Sequence, residues 1–306
     1  MKRYLATAVV HALAVALGVS MLSFVFMRMS GDPVMLMLPP DATHQQIEDF
    51  RERMGFNDSL AAQYVRFLGG AVKGDFGQSL RHQQPSMGLV LERLPATMEL
   101  AAAGMVLALL VAIPVGIASA RRRGSFVDYL GMGGSLLGLS MPNFWVGIVG
   151  ILIFSVHLRL LPTGGRGTWL QLILPAFALG SYLMALIARL TRSGMLEVLS
   201  QDYVRTARAK GLSERLVVWR HALRNTLIPL VTVVGLQIGE LLSGTVVIET
   251  VFAWPGVGRL VVQAVFQRDY PLVQAAVFVL AMTFVGVNFL VDVTYRFLDP
   301  RIRRFA

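Results

Sequence analysis

The chain has 306 residues, of which 55% are hydrophobic and 15% charged, and its mean hydropathy is +0.61. A soluble globule of this size needs more polar surface, so the composition excludes one and indicates an integral membrane protein. The formal charge of +10 does not indicate nucleic acid, because the basic residues lie beside apolar segments rather than among stacking aromatics. The sequence has no cysteine, which excludes disulfides and thiolate metal sites.

The first predicted element is a membrane span within residues 1–29, whose apolar run follows Lys2 and Arg3. A cleaved signal peptide is the alternative. The apolar run is longer than the roughly 7–15 residues of a signal-peptide core, and no clear small-x-small cleavage site precedes the polar segment. The pattern therefore favours an uncleaved span.

Residues 30–96 are polar and of mixed charge, which predicts an extracytoplasmic loop with its own structure. A capping-box pattern at Thr43 and Gln46 opens one amphipathic helix over 43–54, and a second apolar stripe runs over 60–72. The apolar faces of these helices either pack on the membrane-facing surface of the protein or form a landing surface for a partner that delivers substrate.

Residues 97–306 are predicted to form a five-helix core, which brings the total to six spans. The predicted spans of the core lie at about 97–120, 129–156, 170–188, 229–247 and 272–293. Glu99 is expected at the helix start of the first of these. Pro142, in the segment MPNFW, predicts a kink or local unwinding of the 129–156 span. The same span contains four glycines that permit close helix approach, namely Gly131, Gly133, Gly134 and Gly138.

The segment 249–271 is predicted to be an outer re-entrant or interfacial helix. Its Trp254-Pro255-Gly256 turn precedes an apolar stripe, Leu260 to Val265, that is too short to cross a bilayer. Six spans place the N-terminus, the basic run 121–123, the loop 189–226 and the basic C-terminal tail on one side. The positive-inside rule assigns that side to the cytoplasm.

The stretch 197–229 is predicted to be two short helices around Gly211, which supplies a permissive corner. Ser213 stands where an N-cap belongs, and Glu214 follows in the first turn. The apolar stripes of the two helices are predicted to be Leu199, Tyr203 and Ala207, then Leu216, Trp219 and Leu223.

Polar residues inside the spans are candidates to line a substrate path, and these are Asn143, Gln237, Glu240 and Ser243. Glu240 is the clearest, and two interpretations stay open. It either lines an aqueous path, or it bonds a neighbouring helix or a second subunit.

Several catalytic patterns are absent from the sequence: G-x-x-x-x-G-K-[ST], H-E-x-x-H and G-x-S-x-G. The chain is therefore not expected to be an enzyme. Any ATPase that drives transport is expected to be another polypeptide.

The segment DYVRTARAKGLSERLVVWRHALRNTLIP resembles the EAA loop of binding-protein-dependent ABC importer permeases, specifically the dipeptide/oligopeptide/nickel group. Arg205, Thr206 and Ala207 stand at the first three places of the EAA pattern, and Gly211 and Leu223 match it. His221 and Arg224 depart from the general pattern in a way typical of the peptide group. Further matching segments are SGDP, GDFGQSL, LPATMEL, SMPNFW, LLPTGG, FAWPGVGRL, RDYP and LDPRIR.

The resemblance implies an all-α polytopic fold of the type I ABC importer permease, in a bacterial inner membrane with both termini cytoplasmic. It implies that the loop docks on a cytoplasmic ATPase through Arg205, Thr206, Ala207, Arg208, Lys210, Gly211, Leu212, His221, Leu223 and Arg224. The implied partners are a second permease, two ATPase subunits that bind ATP and Mg, a solute-binding protein and membrane lipid. This chain itself is expected to bind no cofactor and no nucleic acid.

The implied cargo is a di- or oligopeptide, and nickel, a metal chelate or glutathione are the alternatives. From a different class, an ion-coupled secondary transporter would use Glu240 as its coupling carboxylate. A membrane partner without a pathway is a third possibility.

Overall fold

A computed structural model describes residues 2–29, 34, 38 and 43–298. The predicted SGDP segment and the arginine-rich tail after Leu298 lie outside the described residues. The helices are α1 (Lys2–Met29), α2 (His44–Met54), α3 (Leu60–Val72), α4 (Ser86–Arg121), α5 (Phe126–Ser140), α6 (Asn143–Gly150, continued as a π-helix over Ile151–His157), α7 (Trp169–Leu199), α8 (Asp202–Ala209), α9 (Glu214–Leu216, continued as a π-helix over Val217–Ala222), α10 (Leu223–Val251), α11 (Val257–Phe266) and α12 (Tyr270–Leu298).

Five of these helices are long and apolar enough to cross a membrane, namely α1, α4, α7, α10 and α12. The pair α5 and α6 makes a sixth span if it is counted as one, and the two halves are bent by 110°. The bend lies at Pro142, which has no N–H to donate, and Met141 before it is extended (φ −98°, ψ 130°). The predicted break of the third span at Pro142 is confirmed.

The helix α4 starts earlier than the predicted span. It begins at Ser86, so the expectation that Glu99 lies at a helix N-terminus is wrong. Residues 86–96 are helical because they also pack, with Val90 fully buried. Glu99 instead pairs with Arg166 of the loop before α7, at 2.6 Å between Nη2 and Oε2.

The chain divides into two compact units. The first comprises the described residues up to Ala96 together with Pro255–Gly286, and the second comprises Thr97–Trp254 and the described residues from Val287 onwards. The core of the first unit joins α4, α11 and α12 through buried Val90, Val257, Leu260, Ala264 and Leu272. Helix α11 has ten residues, too short to cross a bilayer, as the sequence predicted.

A row of aromatic rings ties α3 to α1 within the first unit. Phe24 of α1 lies 5.4 Å from Tyr64 and 6.0 Å from Phe67, between ring centroids. Phe67 continues the row to Phe76 at 5.9 Å. The aromatic face of α3 therefore packs against the first span.

The N-terminus of α2 has the predicted capping box. The Gln46 backbone N–H donates to Thr43 Oγ1 at 3.3 Å, and the Thr43 N–H donates to Gln46 Oε1 at 2.9 Å. Two helix-end donors are thus satisfied. The capping-box prediction is confirmed.

Asp269 fastens the loop after α3 to the turn before α12. Its fully buried carboxylate accepts hydrogen bonds from Ser79 Oγ at 2.5 Å, from the Leu80 N–H at 3.1 Å and from the Arg81 N–H at 3.3 Å. The segments GDFGQSL and RDYP, far apart in sequence, meet at this carboxylate.

The second unit is organised around α7, which packs against α5, α6 and α10. Glycines set several of the closest approaches: a Cβ on Gly138 would lie 2.9 Å from the Ala185 Cβ, and one on Gly131 would lie 2.5 Å from Ser119 Oγ. The close-approach prediction holds at these two positions. At Gly133 and Gly134 a Cβ would meet no described atom within 4 Å, so there the prediction is wrong.

Candidate coupling loop and pathway cavity

The stretch after α7 folds as two helices around Gly211, as predicted. Helix α8 ends at Ala209, and Gly211 adopts φ +77°, a left-handed conformation that other residues adopt only with strain. Ser213 then takes the N-cap position of α9, although its side chain makes no capping hydrogen bond. The chain continues through the π-helical turn into α10 without a break in helical structure.

The loop has a small apolar core of its own. Val204, Ala207 and Val217 are buried, and Leu199 and Leu212 pack against them. The predicted stripes are therefore partly wrong, because Tyr203 of α8 is 42% exposed and Trp219 is 50% exposed. Val204 takes the buried position that the periodicity gave to Tyr203.

The π-helical turn explains the error in the second stripe. Hydrogen bonds there run from residue i to i+5, so side chains point in directions that the ordinary helical period does not give. Val217, Val218 and Ala222 become fully buried in place of Leu216 and Trp219. Sequence periodicity carries no signal for such a turn.

Polar contacts hold the two arms of the loop together. Arg208 Nε donates to Glu214 Oε1 at 2.7 Å, across the corner at Gly211. Asn225 Nδ2 donates to the Tyr203 hydroxyl at 2.6 Å, which links α8 to the first turn of α10. These contacts connect α8 to the corner at Gly211 and to the start of a membrane span.

The structure separates the predicted docking residues into two groups. Ala207 and Leu223 are buried and Leu212 is half-buried, so these three contribute to packing within the chain. His221 is also half-buried, and its carbonyl accepts a hydrogen bond from Asn225. The exposed group consists of Arg205, Thr206, Arg208, Lys210, Gly211 and Arg224.

A cavity of about 330 Å³ lies in the second unit beside the Pro142 break. Three of the four predicted pathway residues line it, namely Asn143, Gln237 and Glu240. The break leaves the first turn of α6 with backbone groups that no preceding turn can satisfy, which makes this region polar. The fourth residue, Ser243, does not line the cavity, and its hydroxyl donates to the Gly239 carbonyl at 3.2 Å.

Asn143 is held between two helices at the edge of this cavity. Its Nδ2 donates to the Leu179 carbonyl at 3.4 Å, and its Oδ1 accepts from Ser181 Oγ at 3.3 Å. Both partners belong to α7. Asn143 therefore fixes the broken span to the central helix and presents a polar surface to the cavity.

Glu240 is exposed to the cavity, and its Oε2 accepts a hydrogen bond from Gln237 Nε2 at 3.0 Å on the same helix. None of the described residues donates a hydrogen bond to the other oxygen, Oε1, which is therefore open to a donor from a solute. An open carboxylate beside amide groups can bind an ammonium group or the N–H groups of a solute.

Sequence reasoning missed Glu249, a second carboxylate of the same helix. It is fully buried, and its Oε1 accepts from Thr97 Oγ1 at 2.7 Å. The signal was a carboxylate within the last turn of an apolar helix, but nothing in the sequence indicated its partner on α4. Tyr182 and Leu183, which also line the cavity, carry no sequence signal that separates them from packing residues.

No group of three or more histidine, aspartate or glutamate side chains in the described part of the chain could hold a metal ion.

Comparison with protein families identifies this architecture. Residues 112–304 match the family described as the binding-protein-dependent transport system inner membrane component. Residues 1–101 match the N-terminal membrane-component family of the same transport systems. The chain belongs to this family. Its members are ABC importer permeases, in which ATP hydrolysis takes place on separate subunits, so the expectation of a permease rather than an enzyme is confirmed.

Curated relatives cover almost the whole permease. An oligopeptide transport system permease protein of Bacillus subtilis is 43% identical over 314 aligned positions, which cover 99% of each chain. A dipeptide transport system permease protein of Alkalihalophilus pseudofirmus is 40% identical and covers 94% of this chain and 96% of its own. A glutathione transport system permease protein of Escherichia coli K12 is 43% identical, covering 93% and 94%.

A solved structure shows the same fold. An inward-facing conformation of the MetNI methionine ABC transporter superposes with a TM-score of 0.58 at 18% identity. The match covers 70% of this chain and 97% of the other. The all-α type I permease fold is thereby confirmed, and the family decides against an ion-coupled secondary transporter.

Proposed function

We propose that this permease forms one half of the membrane pathway of an importer for short peptides. The relatives are named for oligopeptides, dipeptides and glutathione, and glutathione is itself a short peptide. The observation that carries the proposal is the cavity at the Pro142 break, where amide groups and an open carboxylate converge. Peptides carry an ammonium end and backbone N–H and C=O groups, which match these residues.

Within the cavity, Glu240 would bind the peptide ammonium, while Asn143 and Gln237 would exchange hydrogen bonds with backbone amides. Such contacts are weak and adaptable, which suits a transient site that must release its cargo. Selection among peptides would then rest mainly with the solute-binding protein that delivers them.

The assembly we propose contains a second, homologous permease, two ATPase subunits that bind ATP and Mg²⁺, and an extracytoplasmic solute-binding protein. Both termini and the coupling loop lie on the cytoplasmic side, because the basic run Arg121–Arg123 and the basic loop 189–226 share one side of a six-span topology.

The exposed face of α8 is the proposed ATPase contact. Arg205 lies on this face and Lys210 directly follows the helix, and acidic groups on the ATPase would attract both and set the rate and specificity of association. Arg208 contributes less charge because Glu214 pairs with it at 2.7 Å, whereas the pair of Arg205 with Asp202 is longer, at 3.5 Å, and more exposed. Ala207 and Leu212 pack between α8 and the segment that leads into α10. Motion of the ATPase would therefore move α8 and the start of α10 together, as one packed body.

Reconstituted vesicles that contain the full importer test the proposal. We expect uptake of a radiolabelled dipeptide that requires ATP on the ATPase side and survives collapse of ion gradients. Unlabelled dipeptide, glutathione and nickel, each presented with the cognate binding protein, should compete in that order. Uptake that followed an ion gradient without ATP would contradict the importer function, and competition by nickel alone would contradict the peptide assignment.

A further inference from the structure

The first unit contains an apolar cavity of about 490 Å³ between the first span and the last. Val19, Leu22 and Phe26 of α1 form one wall, and Val273 and Val277 of α12 form the other. Side chains of this kind give an ion or a small polar solute almost no hydrogen bonds. A hydrocarbon chain is the chemistry that fits these walls.

Two polar side chains interrupt the apolar walls, Ser23 and Gln274, and the Ser23 hydroxyl already donates to the Ser20 carbonyl at 3.0 Å. Gln274 is only 5% exposed and lines the cavity, and none of the described atoms accepts a hydrogen bond from its Nε2. A buried amide donor without an acceptor is unfavourable, most of all in a membrane where water is absent. A ligand with an acceptor oxygen next to Gln274 Nε2 would remove this cost.

A cation stands at one end of the same cavity. Arg268, exposed and with φ +55°, lies in the turn between α11 and α12 and lines the cavity. Its backbone position is fixed, because its N–H donates to the Val265 carbonyl at 3.1 Å and the neighbouring Asp269 is clasped by Ser79 and Leu80. No acidic group in the described part of the chain forms an ion pair with Arg268.

We propose that this cavity is a binding site for a glycerophospholipid of the leaflet on the side of the 267–269 turn. The Arg268 guanidinium binds the phosphate, and the Gln274 amide donates to an ester carbonyl. Helix α12 begins at Tyr270, directly after the turn that carries Arg268, and Gln274 lies four residues further along it, about 6 Å by helix rise. The amide therefore lies deeper in the membrane than the turn, as ester groups lie deeper than phosphates in a leaflet. One acyl chain then fills the space between the α1 wall and the α12 wall.

The charge at Arg268 gives the site a preference. A guanidinium binds phosphate through two parallel hydrogen bonds, and an anionic headgroup gains further from the uncompensated positive charge. Phosphatidylglycerol should therefore bind better than phosphatidylcholine. A bound lipid would tie α1 to α12 and stabilise the first unit independently of transport.

Lipid counting on the intact importer tests the site. The complex, purified in mild detergent, is titrated with dioleoyl phosphatidylglycerol and lipids per complex are counted by native mass spectrometry. Arg268→Gln and Gln274→Leu should each weaken the tightest binding event about tenfold. The first removes a charge-assisted hydrogen bond to the phosphate, and the second removes the hydrogen bond that the buried amide donates to the ester. The matched controls Arg81→Gln and Gln263→Leu change exposed residues of the same unit that do not line the cavity, and they should bind as wild type does.

Two results would overturn the proposal. In the first, both variants bind phosphatidylglycerol as tightly as the wild type while their thermal unfolding is unchanged. In the second, Phe26→Cys or Val265→Cys, alkylated with a benzophenone maleimide and irradiated, crosslinks quantitatively to the second permease and no lipid is retained, which would make the cavity a subunit interface. If either variant misfolds, the phosphatidylglycerol-over-phosphatidylcholine preference of the wild-type complex decides, since its absence contradicts a site in which the Arg268 charge selects an anionic phospholipid.

Discussion

Arg192 donates one hydrogen bond to each carboxylate oxygen of Asp128, from Nε to Oδ1 at 2.6 Å and from Nη2 to Oδ2 at 2.7 Å. Asp128 lies in the first turn of α5 and Arg192 in α7, so the pair joins the start of α5 to the helix it packs against. The Gly124 N–H adds a third hydrogen bond to the carboxylate at 2.9 Å. The side chain of Asp128 is 7% exposed and that of Arg192 is 26% exposed.

Asp128→Asn should destabilise the permease by about 2–3 kcal/mol. Removing one partner of a fully buried ion pair costs about 3–5 kcal/mol, and solvent that reaches Arg192 reduces this cost. The neutral amide offers one acceptor oxygen in place of two, so the bidentate geometry is lost. Thermal unfolding in detergent should show a lower midpoint.

The control for this change is Asp202→Asn. Asp202 pairs with Arg205 at 3.5 Å, and both side chains are more than three-quarters exposed, so the loss of this pair should leave the midpoint unchanged. Equal unfolding midpoints for the Asp128 and Asp202 variants would contradict a structural role for the Asp128–Arg192 ion pair between α5 and α7.

Gly180→Ala should loosen the packing of α7 against α4. A Cβ on Gly180 would lie 2.6 Å from the Gly104 carbonyl oxygen, which is backbone and cannot move without shifting its helix. Overpacking of this kind costs about 1–3 kcal/mol. The unfolding midpoint should fall, and the fraction of assembled complex should fall with it.

Gly133→Ala is the matched control, since a Cβ there meets no described atom within 4 Å. This change adds a methyl group to an open helix face and should be neutral or slightly stabilising, because alanine favours helix by about 1 kcal/mol over glycine. A larger drop in the unfolding midpoint for Gly133→Ala than for Gly180→Ala would contradict the idea that close backbone contact at Gly180 limits the packing of α7.

Local features were predictable from the sequence because their causes are local. Thr43 and Gln46 are three residues apart, so their capping box can be read from the chain. Pro142 breaks its helix through its own ring. Gly211 marks its corner through its own conformational freedom.

Features that depend on distant partners were not predictable. Asp128 meets Arg192 across 64 positions, and Asp269 meets Ser79 across 190, so only the folded chain shows why either carboxylate is tolerated. Glu240 and Glu249 look alike in sequence, yet one is exposed to a cavity and the other is fully buried.

Gly211→Val should weaken the association of the permease with its ATPase about tenfold while the spans stay inserted. A branched side chain at φ +77° is strained by roughly 1–2 kcal/mol or more, and the corner would relax by turning α8 away from its packed position. The measurement is recovery of the ATPase with the tagged permease, together with ATP-driven uptake.

Gly124→Val serves as its control. Gly124 also has a positive φ, +75°, with open space around it, but it lies in the loop before α5 and outside the coupling loop. The same strain should therefore lower stability without loss of the ATPase. If both variants lost the ATPase equally, the effect would be general destabilisation rather than a change in the docking surface.

Glu240→Gln should lower the rate of peptide uptake several-fold and leave ATPase recovery unchanged. The variant keeps the shape of the side chain and the hydrogen bond from Gln237, but it removes the charge that would bind a peptide ammonium group in the cavity. Ser243→Ala is the control, because Ser243 lies on the same helix, is exposed and does not line the cavity. Uptake of an N-acetylated dipeptide sharpens the test: it lacks the ammonium group, so wild type and Glu240→Gln should transport it equally. A loss of the same size for free and acetylated peptides would assign Glu240 to helix packing rather than to cargo binding.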